Sequence, residues 1–362
     1  MISFASNEVE SEQIRGIPRP ACYLCGSAGE ILYDEMPDRL FGVSGKWTVR
    51  RCPSADCGLL WLDPVPLTDD IPKLYRTYYT HDTAAVTSTP ANDVVSLSDF
   101  MKAAYYAERF GRADLEKPCR PQPGLVRKLA SLPGYLHPLF QARIQFPLAA
   151  IARRPKGRLL DVGSGSGNLL ILAEKLGWQA TGVDFDPQAV ATATAKGLLV
   201  HCGSLEEQSF ADGSFDLITM THVIEHLDDP VRTLRECRRV LAPDGALLVS
   251  TPNVRSWGHT VFEKCWIGLD VPRHIYVFGS ASLQRVAQSA GFSQVSTSTA
   301  APFTQFIFQI GSTLQTTNLR RSRWEPSFWL GKIPFRMAFL AEILMMRWQP
   351  SVGEELIMEA SG

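Results

Sequence analysis

Three groups of residues in this 362-residue chain have the types and spacing to do chemistry. In the first, an apolar run at residues 158–162 leads into Gly163, Gly165 and Gly167, and a second apolar run closes on Asp184. A helical pattern lies between the two runs, which is the layout of a βαβ unit. Its glycines let the backbone approach a ligand, and its acid accepts hydrogen bonds from ribose hydroxyls. Position 168, where a dinucleotide loop carries its third glycine, is Asn168. Asp161, two residues before Gly163, is placed to meet an ammonium group rather than a pyrophosphate. The expected ligand therefore has a ribose, an amine and no phosphate. The second group is Cys22, Cys25, Cys52 and Cys57, four thiols in two pairs. The third is His222, Glu225 and His226, just past the apolar run 215–221. Histidine, with an unperturbed pKa of about 6.5, suits proton abstraction from a hydroxyl or from a carbon beside a carbonyl. A neighbouring carboxylate can orient it. His222 is read as structural.

Such a ligand suggests S-adenosylmethionine, and residues 158–170 resemble motif I of the class I S-adenosylmethionine-dependent methyltransferases. The similarity continues in order through residues 201–207, 215–230, 241–253 and 272–278, with Ala290, Gly291 and Phe292 after them. It covers roughly residues 155–300, far more than a lone glycine motif. The resemblance implies an α/β fold: a Rossmann-like, doubly wound, mostly parallel sheet with ligands outside the carboxyl ends of its strands. It assigns cofactor contacts to Asp161, Gly163, Gly165, Gly167, Asp184, Ser204 and Leu205. Many relatives carry an acid at the position of Ser204 to meet the adenine amino group; a serine hydroxyl can accept the same bond without charge. Asp186 is better read as a helix cap, because Pro187 follows it.

Methyl transfer is an in-line displacement at an activated carbon, so the protein chiefly aligns the acceptor and removes water. Glu-His pairs occur in sugar C-methyltransferases that carry an N-terminal zinc module. That resemblance points to His226 as base and Glu225 as its partner, and to Tyr78 and Tyr79 as lining the acceptor pocket. Arg273 and His274 fall in the segment that usually lids the acceptor. The Glu-His segment also occurs in relatives with very different acceptors, and Asp229 before Pro230 is a plain helix start. A structural role for His226 therefore stays open.

The four clustered cysteines are each well placed to hold a metal. Each pair is followed by a glycine, Gly26 or Gly58, where a metal knuckle turns through positive φ. Four thiolates complete a tetrahedral Zn²⁺ site with no open position, so the expected metal is structural. The wider gap from Cys52 to Cys57 departs from the usual pattern, and free buried thiols or disulfides are the alternative, the latter disfavoured in the cytosol. Cys119, Cys202, Cys237 and Cys265 are scattered and read as core residues.

The elements that must position these groups follow from periodicity. Residues 1–20 read as disordered, and 21–66 as a zinc-ribbon-like module with strands at 46–51 and 59–62. Residues 67–157 form a helical linker or substrate cap, with helical patterns near 97–112 and 137–153. Residues 158–362 make the cofactor-binding domain, with strands at 158–162, 179–184, 198–202, 215–221, 246–251 and 294–299. Residues 303–350 look like an aromatic insertion, and 354–359 the final strand.

A formal net charge of −1 gives no field to attract nucleic acid, and the Asn/Asp-Pro-Pro-Tyr/Phe segment of amine methylators is absent: residues 221–224 read THVI instead. With 45% hydrophobic and 20% charged residues, the composition is globular. No secretory signal opens the chain, and the longest apolar run, 337–346, is broken by Glu342, so the chain reads as cytoplasmic. The leading expectation is a methyltransferase acting on a small molecule, a nucleotide-linked sugar or glycan precursor, at carbon or oxygen. The alternatives are an O-methyltransferase for a quinone-like or lipid acceptor, an RNA methyltransferase and a non-catalytic cofactor-binding protein. Similarity to ubiquinone-pathway enzymes supports the first of these, although those enzymes lack the zinc module. Basic and aromatic residues in 303–350 keep peripheral membrane contact as a minor option. The oligomeric state does not follow from these residues.

Overall fold

A computed structural model describes residues 14–75, 97–111, 123–136, 145–302, 304–318 and 332–362. The chain gathers into two compact units, one of Met1–Tyr79, Met220–Arg238 and Leu247–Gly362, the other of Thr80–Thr219 and Arg239–Ala246. In the first unit, β1 (Gly16–Ile17) belongs to the stretch expected to be disordered. It is ordered because the Arg15 guanidinium and backbone N–H both bond the buried Asp70 carboxylate. β2 (Glu30–Met36), β3 (Trp47–Arg51) and β4 (Leu60–Asp63) follow as an antiparallel meander, and β5 (Val65–Pro66) pairs with β1.

The second unit holds β6 (Arg158–Val162), β7 (Gln179–Asp184) and β8 (Val200–Cys202), paired in parallel. β9 (Phe215–Thr221) lies on the other side of β6. Leu159, Leu160, Leu217 and Ile218 are wholly buried, as expected for strands covered on both faces. Of the predicted strands here, only the one at 198–202 shifts, starting two residues later. A helix at Gly124–Leu136 escaped the sequence reading, because Gly124, Pro133 and Gly134 give it poor intrinsic propensity. Of the helical pattern at 137–153, residues 145–149 form a π-helical turn and 150–153 an α-helical one; the earlier part lies outside the described residues.

The chain then adds β10 (Leu241–Pro252), β11 (Tyr276–Val277), β12 (Gln294–Ala300) and β13 (Glu355–Ser361). Within the first unit, β13 lies between β12 and the part of β10 from Leu247 onward, antiparallel to both. β11 pairs antiparallel with β4, so the sheet order is β11-β4-β3-β2. The cysteine-bearing segment shares its core with residues from much later in the chain. Met36, Trp47, Val49, Leu60 and Leu62 share one core with Phe262, Trp266, Leu269, Val277, Ile307 and Phe308.

The region read as an insertion supplies two helices to this core, Thr304–Asn318 and Lys332–Trp348. Phe308 packs against Trp257 and Phe262, with ring centroids 4.6 and 5.0 Å away. Glu342 points inward, accepting bonds from the Thr304 hydroxyl and the Glu354 backbone N–H. Burial, reinforced by the nearby Glu354, pushes the Glu342 pKa up to about 8. Among the described residues, no helix is long and apolar enough to cross a membrane.

Candidate functional site

The glycine loop is built as a cradle. Gly163, Gly165 and Gly167 have φ of 74°, 52° and 81°, a region that side-chain-bearing residues seldom adopt. The Gly163 and Ser164 N–H groups both donate to the Val183 carbonyl, at 2.8 and 3.1 Å, tying the loop to β7. Gly165 then donates to Asp184 Oδ2 at 2.7 Å, and Asp186 donates to Oδ1 at 2.9 Å. Burial raises the Asp184 pKa, against these two N–H donors. Each carboxylate oxygen keeps a second lone pair for a ligand hydroxyl.

Two observations show that this cradle fits a nucleoside cofactor. A Cβ placed on Gly165 would meet nothing within 4 Å, so the loop faces open space there. The Ser164 hydroxyl is buried without a hydrogen-bond partner, a polar atom left for a ligand to satisfy. Asp161, near the end of β6, is buried. It is 4% exposed and accepts a 2.7 Å bond from the Thr219 hydroxyl. Burial, opposed by Thr219 and aided by the charge of Asp184, pushes its pKa up to about 7. Ser204 is exposed, Leu205 is buried beside it, and Asp186 caps its helix through the Gln188 N–H as expected.

In the first unit, the sulfurs of Cys22, Cys25, Cys52 and Cys57 lie within 4.8 Å of one another. The Cys22–Cys57 and Cys25–Cys52 separations are 3.7 and 3.4 Å. Four sulfurs bound to zinc at ~2.3 Å would lie ~3.8 Å apart, so the geometry fits that ion. Gly26 and Gly58 take φ of 72° and 59°, the knuckle turns expected after each pair.

The same unit holds a cluster of histidines and carboxylates. His222 follows β9 with φ of 54°, and its backbone N–H donates to the Ser250 carbonyl at 2.9 Å. Its Nδ1 lies 3.2 Å from Glu225 Oε1, and its Nε2 lies 3.4 Å from Glu355 Oε2. Thr251 and Ser250 donate to the same two carboxylates, at 2.9 and 2.8 Å. Burial opposes a charge on His222, but Glu355 and Glu225 outweigh it and carry its pKa up to about 9. Burial would raise the Glu225 pKa, yet His222 holds it down at about 2. Glu225 is thus hydrogen-bonded to His222 and Thr251, with a carboxylate oxygen within 4.8 Å of a ring nitrogen of His226.

His226 finds other partners. Its Nδ1 lies 3.0 Å from the Arg273 carbonyl and 2.9 Å from the Tyr75 hydroxyl. A carbonyl only accepts, so the neutral ring carries its proton on Nδ1 and keeps the lone pair on Nε2. Burial, then the neighbouring His274 ring with its centroid 4.7 Å away, pushes the His226 pKa down to about 4. Tyr75 was missed in the sequence, although it belongs to the tyrosine cluster from which Tyr78 and Tyr79 were chosen; those two lie outside the described residues. Arg273 is itself buried. Its fully buried guanidinium binds Asp270 and Asp38 and stacks 4.4 Å from the centre of the Phe41 ring.

Residues 135–297 match the family of methyltransferase domains. A ubiquinone biosynthesis O-methyltransferase of Xanthomonas campestris pv. campestris is 35% identical over 125 residues, 33% of this chain and 52% of that protein. A probable S-adenosylmethionine-dependent methyltransferase of Mycolicibacterium smegmatis is 34% identical over 148 residues, 39% of this chain and 54% of that one. The chain spans about half the length of the curated relatives it matches. A solved S-adenosylmethionine-dependent methyltransferase of Thermotoga maritima is 21% identical, covering 64% of this chain and 94% of its own, with a TM-score of 0.41. Over residues 135–297, a little under half of the chain, the sequence is thus similar to methyltransferase domains, among them S-adenosylmethionine-dependent ones.

Proposed function

We propose that the chain transfers a methyl group from S-adenosylmethionine to a small-molecule acceptor that must lose a proton, a nucleotide-linked sugar or another glycan precursor. The cofactor, when bound, supplies an activated methyl group. The glycine loop and Asp184 would hold it, with Ser204 and Leu205 at the adenine and Asp161 supporting the loop from beneath. The observation that carries the reading is His226. A half-buried imidazole kept neutral, with Nδ1 on the Arg273 carbonyl, keeps Nε2 as a base for a hydroxyl or an acidic carbon. Glu225, ionised between His222 and Thr251, supplies negative charge that favours the imidazolium once the proton has moved. The four thiols would hold a structural zinc, and resemblance to zinc-bearing sugar enzymes supports the sugar class.

The relatives named as ubiquinone O-methyltransferases support a quinone-like acceptor as the second reading. Transfer of labelled methyl from S-adenosylmethionine into separated nucleotide-sugar, quinone and lipid, and RNA pools, run in deuterated water, decides between them. Label in the sugar pool, with deuterium beside a carbonyl, is the expected result. Label only in the quinone pool replaces the acceptor, and no transfer into any pool ends the enzymatic reading. Metal analysis should give close to one zinc per chain, and a metal-free chain of full stability would remove the zinc.

A further inference from the structure

Two residues of the cysteine-bearing segment reach the stretch that follows His226. Tyr23 stands between Cys22 and Cys25, in a knuckle closed by two backbone bonds. The Cys22 N–H donates to the Ser27 carbonyl at 2.8 Å, and the Gly26 N–H to the Cys22 carbonyl at 2.9 Å. The Tyr23 hydroxyl donates to Asp229 Oδ1 and accepts the Val231 N–H at 3.3 Å. Arg19 adds a second hold. Its guanidinium donates to Asp228 Oδ1 at 3.0 Å and to the Tyr276 hydroxyl, which in turn donates to the Asp228 carbonyl at 3.2 Å. The Tyr23 and Tyr276 ring centroids lie 5.3 Å apart. Asp228 and Asp229 follow closely on the turn Ile224–His226, with only Leu227 between.

The carbonyl that receives His226 Nδ1 is tied to the same segment. It belongs to Arg273, and nearby Ile275 accepts the Leu62 N–H at 2.9 Å and donates its own N–H to the Glu225 carbonyl at 2.8 Å. Tyr276 then opens β11 against β4. Position matters here because Nδ1 has two partners with opposite demands. The Arg273 carbonyl only accepts, which keeps the proton on Nδ1 and the lone pair on Nε2. The Tyr75 hydroxyl, 2.9 Å away, can donate, and a ring that drifts toward it would accept at Nδ1 and carry its proton on Nε2.

We propose that Tyr23, with Arg19 beside it, is a positioning residue for the His226 base: it fixes the turn so that Nδ1 keeps the Arg273 carbonyl and Nε2 keeps its lone pair. This role rests on the base role proposed for His226. Helix capping does not account for the Tyr23 bond, since Asp229 Oδ1 already takes the Arg232 N–H at 3.0 Å. Tyr23 adds a link across 206 residues of sequence, from the knuckle to the stretch after His226. An ion held by the four thiols would stiffen that knuckle, since Tyr23 lies between two of the ligands.

The test is Tyr23→Phe in the full chain, which removes the hydroxyl and keeps the ring against Tyr276. Nitrogen-15 spectra of the histidine rings, with His226 assigned by its loss in His226→Ala, report the tautomer without any acceptor. The wild type should show Nδ1–H alone. Tyr23→Phe should gain a clear Nε2–H population, with melting temperature and zinc content unchanged. Its methyl transfer into the nucleotide-sugar pool should fall by roughly tenfold, while calorimetric affinity for S-adenosylmethionine holds. Asp229→Ser keeps a cap for the helix but draws the acceptor away from Tyr23. It should reproduce the loss, and the double variant should lose no more than either alone. A wild-type tautomer in Tyr23→Phe, or losses that add in the double variant, overturns the proposal. Full transfer by His226→Ala would instead overturn the base reading, and this role with it, so the two failures are told apart.

Discussion

In the glycine cradle, the groups that shape the site are mostly backbone: the Gly163, Ser164, Gly165 and Asp186 N–H groups fix the loop and the Asp184 carboxylate. In the histidine cluster, nearly every contact is made by a side chain, drawn from Tyr75, His222, Glu225, His226, Thr251, His274 and Glu355. The cradle depends on φ angles that few substitutions at neighbouring positions would disturb. The cluster depends on charges that set one another's ionisation. Losing one of its members therefore changes what the others can do, whereas the cradle should fail only where a glycine or Asp184 is replaced.

The sharpest way to separate the two regions is His226→Ala. Turnover should fall by ~10²–10⁴, the usual contribution of a positioned base, while cofactor affinity by calorimetry stays unchanged. Turnover near wild type would return His226 to a structural role. Asp184→Ala should produce the opposite pattern. Loss of charge-assisted bonds worth about 1.5–3 kcal/mol should weaken cofactor binding by roughly 10- to 100-fold. Equal affinity in the variant would separate Asp184 from the ribose.

The mildest effect concerns His222, and it is read against pH. Its folded pKa of about 9 lies above its unfolded value, so its contribution to stability is complete below about pH 6.5 and is lost as pH rises through 9. The wild-type melting temperature should therefore fall over that window by more than that of His222→Gln. Parallel curves would mean that His222 is not held as a cation between Glu225 and Glu355. In that case the cluster would not be coupled by charge, and the contrast with the cradle would collapse.

The cradle was legible because its information is local. The run from Arg158 to Gly167 and the approach to Asp184 are contiguous segments, and β6, β7 and β9 begin and end where the pattern placed them. The cluster was legible only in part. His226 and Glu225 stood out, but no spacing rule joins position 222 to Glu355, or position 226 to Tyr75 and the carbonyl of residue 273. β2 was hidden for another reason. Its register with β3 breaks twice, and Glu35 takes a positive φ, so the period-two alternation is lost. No spacing rule joins Asp161 to Thr219 either, although the Thr219 hydroxyl donates to the Asp161 carboxylate.

The pairing of β11 with β4 has a consequence for synthesis. Residues 276–277, the edge partner of β4, emerge from the ribosome about 210 residues after it, a lag of roughly 10–40 s at 5–20 residues per second. Through that interval the nascent meander has an unpaired edge, and the apolar side chains that later share a core with Trp266, Leu269 and Val277 have not met them. The pairings of β2 with β3, β3 with β4 and β1 with β5, and the bonds of Arg15 to Asp70, lie wholly within residues already out by then, so they can hold this segment before its covering strand is made.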